Sequence, residues 1–312
     1  MAITIHKTIY HKTLMGNFVR YCYNWSKYHM VPKKLVLQKR FQKKHGRRLN
    51  LNNPISLNEK IVWLKLYNHT PLHTQCADKY AVRAYINERI GDQYLVPLYY
   101  HTLKPENIIP ENLPTTPFII KANHDSSGGI FVTDKNKTNW GEVQIELKNR
   151  LKKNYYWRSK ESQYKAIEPR IIVEKLLQDK NGNIPFDYKL HCFNGKVRMI
   201  QVDMGRGTSQ HYRNWYSTDW KREPYQWDMP NKDGGFTEST KEDIDKPVTL
   251  EKMIELSKIL AKPFCYVRVD WYDVDGTLYF GELTFHHGGG NEPFTPKKWD
   301  EILGKELVLN NR

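Results

Sequence analysis

No stretch of the 312-residue chain reaches the run of about 18 apolar residues that a membrane-spanning helix needs. The first residues also lack the basic start, apolar middle and small-residue cleavage site of a secretory leader. A cytoplasmic protein is expected, soluble or peripheral at the inner membrane face. Cysteine is scarce: Cys22, Cys76, Cys192 and Cys265 are widely scattered, with no pair at metal-ligand spacing. They read as free thiols in a reducing compartment. Internal repeats and low-complexity runs are missing too. The most informative absence is local: residues 1–50 contain no Asp or Glu, against twelve Lys or Arg. Those residues account for most of the net charge of +15 and leave only +3 for the other 262. The basicity belongs to one segment.

Three partners fit such a segment: nucleic acid, an anionic membrane surface, or an acidic polymer. Its interleaved aromatics (Tyr10, Phe18, Tyr21, Tyr23, Trp25, Tyr28) suit base stacking and an interfacial helix equally. They suit equally a basic helical arm packed on the body of the protein. Composition does not separate these readings. The chain as a whole is plainly foldable, with 39% hydrophobic and 13% aromatic residues, and is long enough for two or three lobes.

The first third reads as helical. Asn53-Pro54 and Ser56 open a helix over residues 58–66, a second helix covers 79–90 and stops at Gly91, and 94–98 reads as a short strand. From Pro117 strands take over. Residues 118–121 and 130–132 form a hairpin around a polar loop, an amphipathic helix fills 140–155, and 170–177 is the next strand. Asn194-Gly195 marks a tight hairpin between 187–193 and 196–203. A helix over 250–260 precedes strands at 265–272 and 279–285. Residues 208–247, rich in Trp, Tyr, Asp and Gly, read as a substrate-facing loop region.

Two constellations carry chemistry. In Phe118-Ile119-Ile120-Lys121-Ala122-Asn123-His124-Asp125-Ser126-Ser127-Gly128-Gly129, a lysine ends a buried strand beside a small, amide-rich loop. Such a loop can fold its amides over phosphate oxygens while the lysine supplies a point charge. Read alone, it is also an ordinary hairpin with an exposed lysine. The second constellation is Val267-Arg268-Val269-Asp270-Trp271 with Phe280-Gly281-Glu282-Leu283-Thr284-Phe285. Alternation places Arg268 and Asp270 on one face, and Glu282 and Thr284 on one face of the next strand. A three-residue loop ending in Gly276 is predicted to pair even positions with even, setting Arg268 opposite Glu282 and Asp270 diagonal to it. Two carboxylates and a guanidinium on one face suit a hard cation bridging phosphates. A structural salt bridge is the plainer alternative, weakened by the apolar flanks of both strands. A third stretch, Ile172-Val173-Glu174-Lys175-Leu176-Leu177 with Asp187-Tyr188-Lys189, offers a strand edge to an adenine, yet by itself reads as a buried strand with flanking charges.

Taken in order, these pieces resemble the ATP-grasp superfamily, and from about Pro54 onward the chain is similar to its teichuronopeptide-biosynthesis-like (TupA-like) branch. The matching stretches include Asn58-Glu59-Lys60, Ala77-Asp78-Lys79-Tyr80, residues 121–129, Val173-Glu174-Lys175, Asp187-Tyr188-Lys189, Val267-Arg268-Val269-Asp270, Gly281-Glu282-Leu283-Thr284-Phe285 and Lys298-Trp299-Asp300. The resemblance implies an α+β ATP-grasp fold, two α+β subdomains clasping ATP behind a basic helical N-terminal region. The corresponding divisions are 1–75, a lid subdomain over 76–173, and a large subdomain over 174–312. It implies that Lys79, Lys121, Asn123, Ser126, Ser127 and Gly128 hold ATP phosphates, with Glu174, Lys175, Leu176 and Asp179 around the adenine and ribose. Asp270, Glu282 and Thr284 would hold Mg2+, as two ions or with Mn2+ in its place, and Arg268 and Lys189 would be catalytic. The superfamily shows Glu-x-Asn where this chain has Glu282-Leu283-Thr284, which leaves the third metal ligand to Thr284 or to Asn291 nearby.

The activity implied is ADP-forming ligation of a carboxylate to an amine through an acyl phosphate. In this branch the partners implied are a hexuronic acid of a surface polysaccharide or its precursor, and an amino acid or amine. Arg206, His211, Arg213 and Trp220 supply cations and an aromatic face for such an acceptor, and His286 or His287 lies near the reacting carbonyl. Two other readings compete. A glycosyltransferase of polysaccharide synthesis explains the lysine-tipped loop and acidic hairpin less well. A nucleic-acid-binding protein driven by residues 1–50 leaves that hairpin without a role.

Overall fold

The computed structural model describes residues 25–26, 29–126, 128–205, 211–228 and 237–309. Helices come first: α1 (Lys33–His45), α2 (Leu57–Tyr67), α3 (Pro71–Ala77) and α4 (Val82–Ile90). In α1 the last turn carries Lys43, Lys44 and His45, and Gly46 ends it in the left-handed region at φ 69°. Cations at a helix C-terminus answer the unpaired carbonyls there, and glycine takes that conformation without a Cβ clash. α2 starts at the expected place for a stated reason. Ser56 Oγ accepts from the Glu59 amide at 3.3 Å, and the Glu59 carboxylate accepts from the Ser56 amide at 3.1 Å.

The helix expected over 79–90 begins only at Val82. Asp78 accepts from the Tyr80 amide at 2.8 Å and from the Val82 amide at 2.9 Å, forming its own turn. The Lys79 amide is drawn away to Asn123 O at 3.1 Å. The strand expected over 94–98 falls later, as β1 (Leu98–Thr102), because Asp92–Tyr94 closes a 3-10 turn first. β2 (Phe118–Ala122) and β3 (Ile130–Val132) form the expected hairpin. The single helix expected over 140–155 is two, α5 (Trp140–Leu151) and α6 (Tyr155–Ser159), because Asn154 accepts from the Tyr156 amide at 3.0 Å and caps a new start. β4 (Ile171–Lys175) completes an antiparallel four-stranded sheet in the order β1-β4-β2-β3. One face of it, Phe118, Ile120, Ile171 and Val173, packs on Val143 and Leu147 of α5. The other face presents Lys121 and Glu174.

The second sheet is built from β5 (Asp187–Phe193), β6 (Lys196–Met204), β7 (Tyr212–Tyr216), β9 (Tyr266–Val274) and β10 (Thr277–Thr284). The two short strands β8 (Gln226–Trp227) and β11 (Phe294–Thr295) pair with each other. Helices α7 (Leu250–Ala261) and α8 (Lys298–Glu306) flank the sheet. The strand order is β10-β9-β5-β6-β7, all antiparallel, and Asn194-Gly195 makes the two-residue turn with φ 49° and 79°. Along β5 every residue is buried, so both faces are covered and the period-2 alternation divides two different environments. Tyr188, Leu190 and Cys192 face a core of Met253, Leu256 and Leu260 from α7. Each such side chain contributes roughly 1.5–3 kcal/mol on burial. The opposite face carries Asp187, Lys189 and His191, and turns apolar only at Phe193, where Leu57, Ile61 and Leu64 of α2 and Leu303 of α8 cover it.

Cys76, Cys192 and Cys265 are buried free thiols, and Cys22 lies outside the described residues. No helix among the described residues is long and apolar enough to cross a membrane.

The contact of α8 with the start of α2 is tight enough to test. A Cβ at Gly304 would lie 2.2 Å from Ile55 O and 2.6 Å from the Leu57 amide, and neither backbone atom can yield without moving the cap. Gly304→Ala should therefore cost about 1–3 kcal/mol by overpacking, read as a lowered urea midpoint at unchanged slope.

Candidate active site

The charged face of the five-stranded sheet is centred on the β9–β10 hairpin, and the hairpin reaches its register by a different route from the one expected. Asp275 and Gly276, with φ 49° and 86°, form a two-residue turn, so Thr277 pairs with Val274 and Phe280 with Trp271. Left alone, this would send Glu282 to the face opposite Asp270. A β-bulge between Phe280 and Leu283 restores even-with-even pairing, and Leu283 pairs with Val269 and Thr284 with Arg268. The residue opposite Arg268 is thus Thr284, not Glu282 as expected, and Glu282 lies diagonal to Arg268. Gly281 makes the bulge possible. A Cβ there would meet Asp270 O at 3.1 Å and the Asp270 Cβ at 3.3 Å.

The bulge delivers a clamp. Arg268 Nε donates to Asp270 Oδ1 at 2.7 Å and its Nη2 to Asp270 Oδ2 at 2.6 Å, a bidentate pair. The same Nη2 donates to Glu282 Oε1 at 3.0 Å, and Thr284 Oγ1 donates to that oxygen at 3.0 Å. Burial pushes Asp270 up to about 6 against the pull of Arg268, so it remains a carboxylate at neutral pH. Glu282 keeps 45% of its side chain exposed. Burial acts on it as well, but Arg268 and then Lys79 outweigh that and hold it down at about 2. Two carboxylates meet one guanidinium here, so negative charge is in excess.

Further along the face, Lys189 lies opposite Asp270 and donates to Asp203 Oδ2 at 2.8 Å, with Asp187 Oδ2 also at 2.8 Å. Burial works to raise Asp203, yet His211, Lys189 and Arg213 together hold it far below the usual carboxylate range. The residues expected to form an acceptor pocket have partners within the protein. Arg213 is enclosed by two carboxylates, with its Nε 2.6 Å from Asp203 and Nη1 2.7 Å from Asp228. His211 approaches Asp203 at 3.4 Å, and Trp220 stacks on Tyr216 with ring centroids 4.3 Å apart. In this structure these groups are partnered with one another and with the sheet's carboxylates. Arg206 lies outside the described residues.

The lid-side residues converge from the other sheet. Lys121 Nζ donates to Glu174 Oε2 at 2.8 Å, and Arg83 donates to Glu174 Oε1 at 3.4 Å. Lys79 Nζ donates to Asp125 O, and its charge also acts on Glu282, so it stands between the loop and the acidic hairpin. Asn123 does not face a ligand. It is fully buried, with Nδ2 on Asp78 (2.8 Å) and Glu168 O (3.0 Å), while Oδ1 accepts from the Arg170 amide at 2.7 Å. Its role is to lock the base of the loop. Ser126 and Gly128 are exposed, Arg150 Nη1 donates to Gly128 O at 2.7 Å, and Ser127 lies outside the described residues. At the edge of β4, the Lys175 amide donates to Pro97 O and the Leu176 amide to Pro117 O, so the protein already uses these two donors. The Lys175 side chain is exposed. Asp179 accepts from the amides of Asn181 and Asn183, each at 2.8 Å, and organises its own loop.

The adjacent histidines lie past the end of β10, at the start of a 3-10 turn over His287–Gly290, and they point to different partners. His286 Nδ1 turns away to Gln163 Nε2 (3.2 Å) and Glu161 Oε2 (3.3 Å). It is His287 that meets the clamp: Arg268 Nη1 donates to its Nδ1 at 3.0 Å. That bond leaves the ring proton on Nε2, which lies 2.8 Å from Glu292 Oε2, though not aligned as a hydrogen bond. Burial first, then Arg268, keeps His287 neutral. Sequence reasoning missed His287 as a clamp partner, along with Glu292, Glu161 and Lys65. For Lys65 a signal existed: it follows Ile61 by four residues and Val62 by three, on the buried stripe of α2.

The donor set fits a magnesium–nucleotide. Asp270, Glu282 and the Thr284 hydroxyl are hard oxygen ligands with surplus negative charge. Among the described residues no cluster of three or more His, Cys, Asp or Glu forms a closed metal cage. Mg2+ takes one or two protein carboxylates and draws its remaining ligands from phosphates and water, a share that Asp270 and Glu282 would supply.

Two antiparallel sheets, a lysine-bearing loop on one and an acidic hairpin gripped by arginine on the other, define an ATP-grasp enzyme, a class whose members are ADP-forming ligases. The family described as TupA-like ATPgrasp matches residues 59–308, and the chain belongs to it. No curated protein matches. Solved structures with a likeness to the chain include D-alanine–D-alanine ligase from Bacillus anthracis, 16% identical over 75% of this chain and 67% of that one, with a TM-score of 0.43. The same ligase from Helicobacter pylori is 12% identical over 81% of this chain and 69% of that one, with a TM-score of 0.42. N5-carboxyaminoimidazole synthase from Aspergillus clavatus is 11% identical over 68% of this chain and 44% of that one, with a TM-score of 0.39. This chain spans less than half the length of the last of these.

Glu292 makes the electrostatics testable. Burial raises it to about 7, although Arg213 and Arg268 pull it down. A carboxyl whose folded pKa exceeds its unfolded value contributes stability below the unfolded value, near 4.3, and loses it as pH rises toward the folded one. Glu292→Gln should therefore flatten the decline in unfolding free energy between pH 5 and 8 by roughly 2–3 kcal/mol. Denaturant titrations across that range would reveal a different titrating group if wild type and variant decline in parallel.

Proposed function

We propose that this protein activates the carboxylate of a hexuronic acid, in a surface polysaccharide or its precursor, and joins it to an amino acid or amine. A free carboxylate resists amines because its leaving group is poor. Transfer of the γ-phosphoryl group from ATP to a carboxylate oxygen breaks one P–O bond, forms another, and releases ADP. The amine nitrogen then attacks the acyl carbon, the C–N bond forms, phosphate departs, and the nitrogen gives up a proton. The observation that carries this reading is the clamp: Arg268, fixed by Asp270 and Glu282 on a buried sheet face, with Lys79 acting on Glu282 from the loop side.

Each residue has a physical task in this scheme. Asp270, Glu282 and Thr284 would hold Mg2+, one ion or two, which neutralises phosphate charge when bound. Arg268 is preorganised toward the transferring phosphoryl group, and such fixed charge is more effective than solvent because it needs no reorganisation. Lys79 and Lys121 stand where phosphate oxygens can replace their present partners, Asp125 O and Glu174. Lys189 sets the field beneath Asp270. A buried sheet face also keeps water from an acyl phosphate. The same reading places the enzyme in the cytoplasm, with residues 1–50 meeting anionic lipid or acidic polymer at the inner membrane face.

The test is product analysis. Purified protein with ATP, Mg2+, a panel of uronic-acid saccharides and mixed amino acids should release ADP and phosphate only when acceptor and amine are both present. Asp270→Asn should lower that rate by about a hundredfold or more while the protein remains folded by circular dichroism. AMP as the product would rule out acyl phosphate chemistry.

A further inference from the structure

A cavity of about 360 Å³ opens between α1, α2, α6 and the turn at Gly288 and Gly289, within the range of small-molecule sites. Its walls carry three cations, Arg40, Lys65 and Arg158, against one carboxylate, Glu161. Lys65 Nζ stands 3.7 Å from Glu161, which is also held by Gln163 at 3.0 Å and His286 at 3.3 Å. Lys33 adds a fourth cation just behind, with its Nζ on Lys65 O at 2.6 Å and Ser162 Oγ at 2.8 Å. Burial, and then the nearby Lys65, lower Lys33 to about 8. Arg40 Nη2 donates to Arg158 O at 2.8 Å, which holds the helix against α6, and the Arg158 side chain makes no ion pair among the described residues. The wall therefore carries net positive charge, and a concave surface of one sign draws in an ion of the other.

The location ties this cavity to the reacting centre. Tyr155, on its wall, packs edge-on against Tyr164 with ring centroids 4.9 Å apart. Glu161 on the cavity wall also holds His286 at 3.3 Å, and the next residue, His287, accepts from Arg268 at 3.0 Å before the chain turns into Gly288 and Gly289 of the wall, so the cavity lies beside the clamp. The glycine turn closes over Lys65 because a Cβ at Gly289 would lie 2.9 Å from its Nζ. Arg40 lies outside residues 59–308, so this wall is supplied by the basic N-terminal segment and not by the part of the chain that carries the family match.

We propose that this cavity anchors a second anionic group of the acceptor saccharide, with Arg40, Lys65 and Arg158 as the anchoring residues. The inference rests on the ligase reading and narrows its substrate: the acceptor carries, besides the carboxylate that reacts, another negative charge. A neighbouring uronate and a sugar diphosphate share this chemistry. The basic N-terminal segment thereby becomes part of substrate recognition.

Isothermal titration of the full chain, saturated with Mg2+ and a non-hydrolysable ATP analogue, separates the two sources. UDP-glucuronate supplies a diphosphate and trigalacturonate supplies adjacent carboxylates. At least one should bind with an affinity that falls as salt rises. Arg158→Gln, at an exposed side chain, should weaken that probe by about tenfold, and Arg158→Glu should weaken it further, with affinity for the ATP analogue unchanged. Equal affinity in wild type and both variants, or binding of neither probe to nucleotide-loaded wild type, would overturn the inference and leave the ligase reading standing. Failure of the analogue to bind wild type would remove the ligase reading, and this inference with it.

Discussion

Arg268 is enclosed by two carboxylates and an imidazole, and much of the five-stranded sheet is arranged so that this grouping can exist away from water. Removing one partner from a buried ion pair typically costs about 3–5 kcal/mol, since a charge is left uncompensated. The sheet meets that demand by alternation. One face supplies apolar side chains to the α7 core, and the other sets Lys189, Asp203 and Arg213 in alternating sign beside the clamp. Such a face is expensive in desolvation and adds little to stability over an apolar one of the same shape. Under the proposed function, its use is the effect of a fixed field on a phosphoryl group.

The four-stranded sheet has a simpler electrostatic design. Lys121 of β2 and Arg83 of α4 converge on one carboxylate, Glu174 of β4. Between the sheets stands Lys79, tied to the loop by its ammonium and by its amide. The helical region before them contributes more than a scaffold, since α2 covers the apolar end of the charged face and also delivers Lys65 to the cavity wall.

Much of this was legible in the residues. Alternation in Val267-Arg268-Val269-Asp270 assigned Arg268 and Asp270 to one face, and Asn194-Gly195 marked its hairpin turn. Asn53-Pro54 and Ser56 marked the start of α2. What escaped was long-range or cumulative. The β9–β10 register depended on a bulge at Gly281, which local turn preference does not encode, since Asp275-Gly276 does form the tight turn its sequence favours. Arg213 and Trp220 looked available to a saccharide because residue type says nothing of partners far along the chain or on another strand. Lys65 and Glu161 lie 96 positions apart and meet only through tertiary packing. The order of His286 and His287 was decided by what each turns toward, a matter of surroundings that no motif carries.

The position of Lys79 has a thermodynamic meaning. One side chain reports the state of the loop, through Asp125 O, to the field at Glu282. Any ligand that fixes the loop with Lys79 in place therefore also changes the affinity of the acidic hairpin for cations, and a cation on the hairpin changes the affinity of the loop by the same factor. Under the proposed function, nucleotide and metal would be coupled in this way. The measured affinity for either is a property of the pair, and the order in which they arrive leaves the total free energy unchanged.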